Sequence, residues 1–157
     1  LAERIPATSA ASVIHNDFKY DNLVLDPGDL TRVIGVLDWE MATVGDPLMD
    51  LATTLAYWVE ATDAAPLQTY VFGPTNQPGS PTRAWLLERY ATKRPGAVPD
   101  DMRFYFVFAL FKNAVVAQQI YARWKRGATK DERFAAMIFG VKLLSEQAVS
   151  VIESGRF

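Results

Sequence analysis

No cysteine occurs anywhere in the 157 residues. That excludes disulfides and thiolate metal sites, and it fits a reducing, cytoplasmic compartment. A basic excess is missing too. Sixteen Lys and Arg against 18 Asp and Glu leave a net charge of −2, so nothing is available to neutralise a nucleic-acid backbone, and no nucleic-acid partner is expected. Long unbroken apolar runs are also lacking. The longest block, "FYFVFALF" at Phe104 to Phe111, falls far short of the roughly 20 residues that span a bilayer, so no membrane partner is expected either. Histidine is almost absent, with one in the chain.

What is present is ordinary globular composition, 50% hydrophobic and 22% charged, enough for one domain with a sizeable core. Short β-branched segments come first: "SVIH" (Ser12 to His15), "NLVLD" (Asn22 to Asp26) and "TRVIGVLDW" (Thr31 to Trp39), with the turn "DPGD" between the last two. Helical patterning then takes over. Asp46 and Pro47 stand as N-cap and first residue of a helix whose apolar stripe is Leu48, Leu51, Leu55 and Trp58. A second helix is expected over Thr82 to Gly96 and a third from about Asp100 to Arg126. The fourth runs to about Glu153, opened by a capping box of Thr129 and Glu132. The aromatic residues Phe104, Phe108 and Phe111 are expected in the core. Strands followed by helices make this an α+β chain. Between the first two helices lies a Pro/Gly-rich loop, Ala61 to Pro81, of a length that is usually functional or disordered.

The densest polar stretch is "VIHNDFKYDNLVLD", Val13 to Asp26, which holds the single histidine. Asp17 and Asn22 are five residues apart, His15 lies two before Asp17 and Lys19 two after, and Asp38 follows at the end of the next strand. Two carboxylates and an amide are hard oxygen ligands of the kind Mg²⁺ takes beside substrate phosphates. Phosphoryl transfer needs one aspartate to receive the attacking hydroxyl and an asparagine with a second aspartate to hold the ions. The protein kinase catalytic loop spaces His, Asp and Asn in this way. Taken singly, each of these residues also reads as a turn or cap residue.

"IHNDFKYDN" followed by "VIGVLDWEMATVGDPLMDLA" resembles the aminoglycoside phosphotransferase and choline kinase-like family. That family carries H-x-D-x-x-x-x-N, a strand ending in D-[WF]-E, and G-D-P-x-x-D-L-A. The stretch through "FYFVFALFKNAVVAQQIYARWKRG" is most similar to the branch found fused to, or encoded near, acyl-CoA dehydrogenases. The resemblance implies the C-terminal lobe of a protein kinase-like fold: short strands that carry the catalytic loop, then a mainly helical bundle. It implies ATP, or another nucleoside triphosphate, with Mg²⁺. The implied acceptor is a small hydroxyl compound that is aminoglycoside-, choline- or hydroxyacyl-like.

Position by position, the resemblance makes Asp17 the catalytic base, with Asn22 and Asp38 as metal and cofactor ligands. His15 becomes a brace of the loop, Lys19 a contact to the transferred phosphate, and Asp50 a further brace. Glu40 would lie near the ions or the acceptor. Asp46 is expected to cap its helix, not to bind an ion. Asn16 replaces the arginine of the protein kinase loop, and only seven residues separate Asp38 from Asp46. That leaves no room for a long activation segment and argues for a small-molecule kinase.

The nine glycines form no phosphate-binding loop ahead of a strand lysine, and only 14 residues precede His15. The whole chain, 1–157, is therefore expected to be the catalytic and acceptor-binding lobe of something longer, with an N-terminal ATP-covering lobe supplied in cis from outside it. Alone, it is expected to turn over little or nothing. The alternative is a catalytically dead kinase-like module used for binding or regulation.

Overall fold

The computed structural model describes residues 1–7 and 10–157. Contacts divide them into two compact units, Pro6–Asp100 and Asp101–Phe157 with Leu1–Ile5.

The first unit holds the four strands found among the described residues. β1 (Ser12–Ile14) pairs antiparallel with β4 (Thr43–Gly45), and β2 (Leu23–Asp26) pairs antiparallel with β3 (Asp29–Val36). These are two separate two-stranded sheets. The β2–β3 hairpin is the expected one, with the Gly28 amide donating to the Asp26 carboxylate at 2.8 Å in the turn. Its register slips around Leu25, the mark of a bulge. β3 stops at Val36 where the sequence pattern ran on to Trp39, because Asp38 turns the backbone left-handed (φ 68°) into a 3₁₀ turn, Trp39–Met41. β4 was not legible, since three residues carry no periodicity. Gly45 leaves room there for the Ile14 side chain, whose Cδ1 would lie 2.7 Å from a Cβ at this position.

Two helices follow in this unit. α1 (Pro47–Tyr57) starts as the sequence predicts, with the Asp46 carboxylate accepting from the Leu48 amide at 2.9 Å and Pro47 at the first position. Leu48, Leu55 and Trp58 are buried, and α1 packs on β1. α2 (Arg83–Lys93) is capped by the Thr82 hydroxyl.

The second unit is built on α3 (Arg103–Lys125) and α4 (Met137–Ser154), which pack on each other. In the first half of α3 the buried residues go most of the way round, Tyr105, Phe106, Val107, Ala109 and Leu110, and further along they narrow to Asn113, Ala114 and Ala117. The expected aromatic core is displaced from them. Phe111 is 54% exposed, while Phe104 and Phe108 are half-buried and stacked on each other at 6.3 Å. The expected capping box does not form. Asp131 instead caps a 3₁₀ turn, Glu132–Ala136, by accepting from the Arg133 amide at 3.0 Å, and α4 begins only at Met137. An aspartate adjacent to the turn outcompetes a threonine two residues earlier.

The expectation that no segment could span a membrane rested on unbroken runs. On average hydropathy it fails for Glu132–Ser154, the one helical segment among the described residues that is long and apolar enough to do so. Such a helix also passes this test as an ordinary packed helix of a globular unit.

Candidate active site

The segment after β1 leaves the strand at His15 and re-enters β2 at Leu23, and the polar residues lie between. α1 holds this loop in place. The Asp50 carboxylate accepts two consecutive backbone amides, His15 at 2.8 Å and Asn16 at 2.7 Å. Asn16 sits at φ 66°, a left-handed conformation that asparagine tolerates and arginine disfavours, and its side-chain amide donates to the Met41 carbonyl at 3.0 Å. One turn along α1, the Thr54 hydroxyl donates to the Phe18 carbonyl at 3.0 Å.

His15 is 3% exposed. Its Nδ1 accepts from the Asp17 amide at 3.2 Å and its Nε2 lies 2.7 Å from the Leu37 carbonyl. A carbonyl can only accept, and Nδ1 must accept, so the network assigns a neutral ring with the proton on Nε2. Trp39 packs on that ring, with centroids 4.6 Å apart. With both nitrogens engaged on backbone, the imidazole ties the loop to the end of β3 and has no lone pair left for a substrate.

Asp17 is 9% exposed. Its carboxylate receives the Lys19 ammonium and the Asn22 amide (3.1 Å) on Oδ2 and the Tyr57 hydroxyl (2.6 Å) on Oδ1. Burial pushes this carboxyl up. The hydrogen bonds from Lys19 and Tyr57, the Lys19 charge and the Asn22 amide outweigh it and hold the group below the usual carboxylate range. It is therefore ionised at neutral pH despite its burial. Lys19 thus rests on Asp17, with its ammonium also 5.1 Å above the Tyr57 ring.

Asn22 is buried and spends its amide nitrogen on Asp17, both at Oδ2 and at the backbone carbonyl (2.8 Å). Its Oδ1 is left as the group a cation would take. Its backbone carbonyl accepts from the Leu37 amide at 2.8 Å, which sets Asp38 next to it in the fold. Interaction with the neighbouring Asp38 carboxylate pushes the exposed Glu40 carboxyl up, with Asp17 adding to the effect. Among the described residues no three or more His, Asp or Glu side chains form a metal cluster. An amide oxygen plus one or two carboxylates is instead a partial shell, the kind Mg²⁺ completes with water and phosphate oxygens.

The long loop is ordered and packs against this site. Gly73 (φ 112°) passes so close to Tyr20 that a Cβ would sit 3.1 Å from the Tyr20 side chain. Phe72 meets Tyr57 edge-on at 5.0 Å. Trp58 faces Tyr20 at 5.3 Å and donates to the Pro81 carbonyl at 2.7 Å. A buried Arg83 forks onto Asp63 at 2.6 and 2.8 Å. Tyr57, Thr54 and Phe72 were not read from the sequence as site residues. The available signal was the spacing Asp50, Thr54, Tyr57, a polar i, i+4, i+7 stripe on the face of α1 that meets the loop.

Comparison with known proteins agrees with this geometry. The family profile described as "Phosphotransferase enzyme family" matches residues 1–88. Acyl-CoA dehydrogenase family member 11 of Gallus gallus is 32% identical over 152 residues, which cover 93% of this chain and 19% of that protein. Acyl-CoA dehydrogenase family member 10 of Mus musculus is 31% identical over 120 residues, 76% of this chain and 11% of that protein. The solved structure of a protein classed as an aminoglycoside phosphotransferase, from Ralstonia eutropha JMP134, superposes with a TM-score of 0.79 at 26% identity over 97% of this chain and 46% of its own. The chain thus spans a fifth or less of these curated relatives. The kinase-like α+β fold and the likeness to the dehydrogenase-linked branch, both expected from the sequence, are borne out. A match over more than half of its residues, together with a structural neighbour of the same kind, places this chain in the phosphotransferase enzyme family.

Proposed function

We propose that this chain carries the catalytic loop of an ATP-dependent phosphotransferase that acts on the hydroxyl of a small molecule. The observation that carries the reading is the state of Asp17: a nearly buried carboxylate held ionised by Lys19, Tyr57 and Asn22, on a loop that His15 and Asp50 fix from both sides. An ionised, oriented carboxylate is what positions an attacking hydroxyl and takes its proton.

Asn22 Oδ1 and Asp38, with Glu40 beside it, would hold Mg²⁺. When bound, that ion would neutralise charge on the phosphate oxygens. Asp17 orients the acceptor oxygen toward the γ-phosphorus. Lys19, which ends on Asp17 in this structure, would exchange that contact for a phosphate oxygen. The loop 61–81, packed on Tyr20 and Tyr57, would form part of the acceptor wall.

In this reading residues 1–157 are one lobe, and a nucleotide-covering lobe lies elsewhere in the full-length protein, as the 46% coverage of the solved neighbour suggests. The acceptor is best sought among hydroxyacyl compounds, given the acyl-CoA dehydrogenase names of the relatives. A net charge of −2 offers no strongly acidic field for a polycationic aminoglycoside.

The test is MgATP turnover by the full-length protein against a panel of hydroxyacyl, amino-alcohol and aminoglycoside acceptors. Asp17→Asn is expected to lower kcat at least a hundredfold with the KM for MgATP little changed, within the range of roughly 10²–10⁴ for a lost proton acceptor. Turnover untouched by Asp17→Asn would leave a binding or regulatory module as the better reading.

A further inference from the structure

The acceptor-facing oxygen of Asp17 can be identified by counting hydrogen bonds. An ionised carboxylate oxygen has about two acceptor sites. Oδ2 receives two donors, the Lys19 ammonium and the Asn22 amide. Oδ1 receives one among the described residues, the Tyr57 hydroxyl at 2.6 Å. The single open site is on Oδ1, beside the phenol.

Tyr57 is itself fixed. It is the last residue of α1, seven residues beyond Asp50, so the face that braces the loop backbone also presents the phenol to the carboxylate. The Phe72 ring lies edge-on against it at 5.0 Å, and the Lys19 ammonium sits over its face at 5.1 Å. A terminal carboxylate torsion is otherwise broad and nearly two-fold. A rigid donor on one oxygen removes that freedom.

We propose that Tyr57 is a positioning residue for phosphoryl transfer: its hydroxyl locks the Asp17 carboxylate so that the remaining site on Oδ1 meets the acceptor hydroxyl. This rests on the reading of Asp17 as the proton acceptor. In the step itself the acceptor oxygen bonds to the γ-phosphorus. The bond from that phosphorus to the bridging oxygen breaks with its electron pair on the departing nucleoside diphosphate, and the acceptor's proton goes to Asp17 Oδ1. Tyr57 donates throughout and transfers no proton. Burial, then its bond to Asp17 and the Asp17 charge, keep the phenol protonated well above its ordinary range.

The experiment uses full-length protein with MgATP, and with water and glycerol as acceptors, comparing wild type, Tyr57→Phe and Asp17→Asn. Tyr57→Phe is expected to lower kcat roughly ten- to hundredfold, the loss of one hydrogen bond to a charged group. The KM for MgATP should stay within twofold, and the melting temperature of the domain within about 3 °C. An unchanged kcat in Tyr57→Phe overturns the proposal while Asp17→Asn still decides the underlying reading. A fall in kcat matched by a raised KM and a lower melting temperature makes Tyr57 merely structural and overturns it as well. If wild type transfers phosphate to neither acceptor, or Asp17→Asn equals wild type, the reading of Asp17 falls and the proposal with it.

Discussion

Asp50 is a small residue with a large duty, because one carboxylate accepts the adjacent backbone amides of His15 and Asn16. An amide side chain keeps one accepting oxygen and loses the charge. Asp50→Asn is therefore expected to cost about 1–3 kcal/mol, the penalty for a part-buried donor left without a good partner, measured by urea denaturation of this chain. Tyr57 gives a second prediction through pH. Its folded-state pKa is raised, first by burial and then by Asp17, above the ordinary value of 10.0. Its contribution is fully present below pH 10 and is lost as pH rises above it, where the unfolded state ionises and the folded state does not. Tyr57→Phe should flatten the fall in stability between pH 10 and 12, and leave the part due to Tyr70, whose phenol is also raised by burial. Identical slopes for the two proteins would contradict this.

α1 is the element where sequence and structure can be compared most directly. Its cap, its first-turn proline and most of its buried stripe were readable, because Asp46, Pro47 and the leucines act locally and by periodicity, although Leu51 is only half-buried and Ala52 and Thr53 are buried in its place. The roles of Thr54 and Tyr57 were not, since a polar stripe on a helix reads as a solvated face until a partner is folded against it. The long loop, Ala61 to Pro81 in the sequence, behaves similarly. Its Pro and Gly content marked it as a loop but said nothing of order, which depends on Arg83, twenty residues after Asp63. Arg83 is 6% exposed, so the pair has no water to fall back on. Asp63→Ala should remove the fork and leave the buried guanidinium the Trp58 carbonyl at 2.8 Å and the Glu60 carboxylate at 3.5 Å, and cost about 1–3 kcal/mol. The double variant Asp63→Leu with Arg83→Met should recover much of that loss, as read by thermal and urea melts. A loss in the double variant equal to that in the single one would show the fork to be incidental.

At the scale of the whole molecule, the β2–β3 hairpin presents apolar side chains to solvent. Leu30, Val33 and Ile34 are 70, 50 and 52% exposed. If the proposed nucleotide-covering lobe packs on that face, it buries these side chains in the full-length protein. The two contexts then respond differently to one substitution. Ile34→Asp in this chain alone changes an exposed position, and should move stability by no more than about 0.5 kcal/mol. In the full-length protein the same change would put a carboxylate where roughly 1.5–3 kcal/mol of isoleucine burial is expected, and should weaken MgATP binding about tenfold or more. Isothermal calorimetry of MgATP against full-length protein with and without Ile34→Asp reads the second effect. Melting curves of this chain read the first, and calorimetry of this chain alone is expected to show little MgATP binding. Equal MgATP affinity in wild-type and Ile34→Asp full-length protein would remove the hairpin from any lobe interface, and tight MgATP binding by this chain alone would remove the need for a covering lobe.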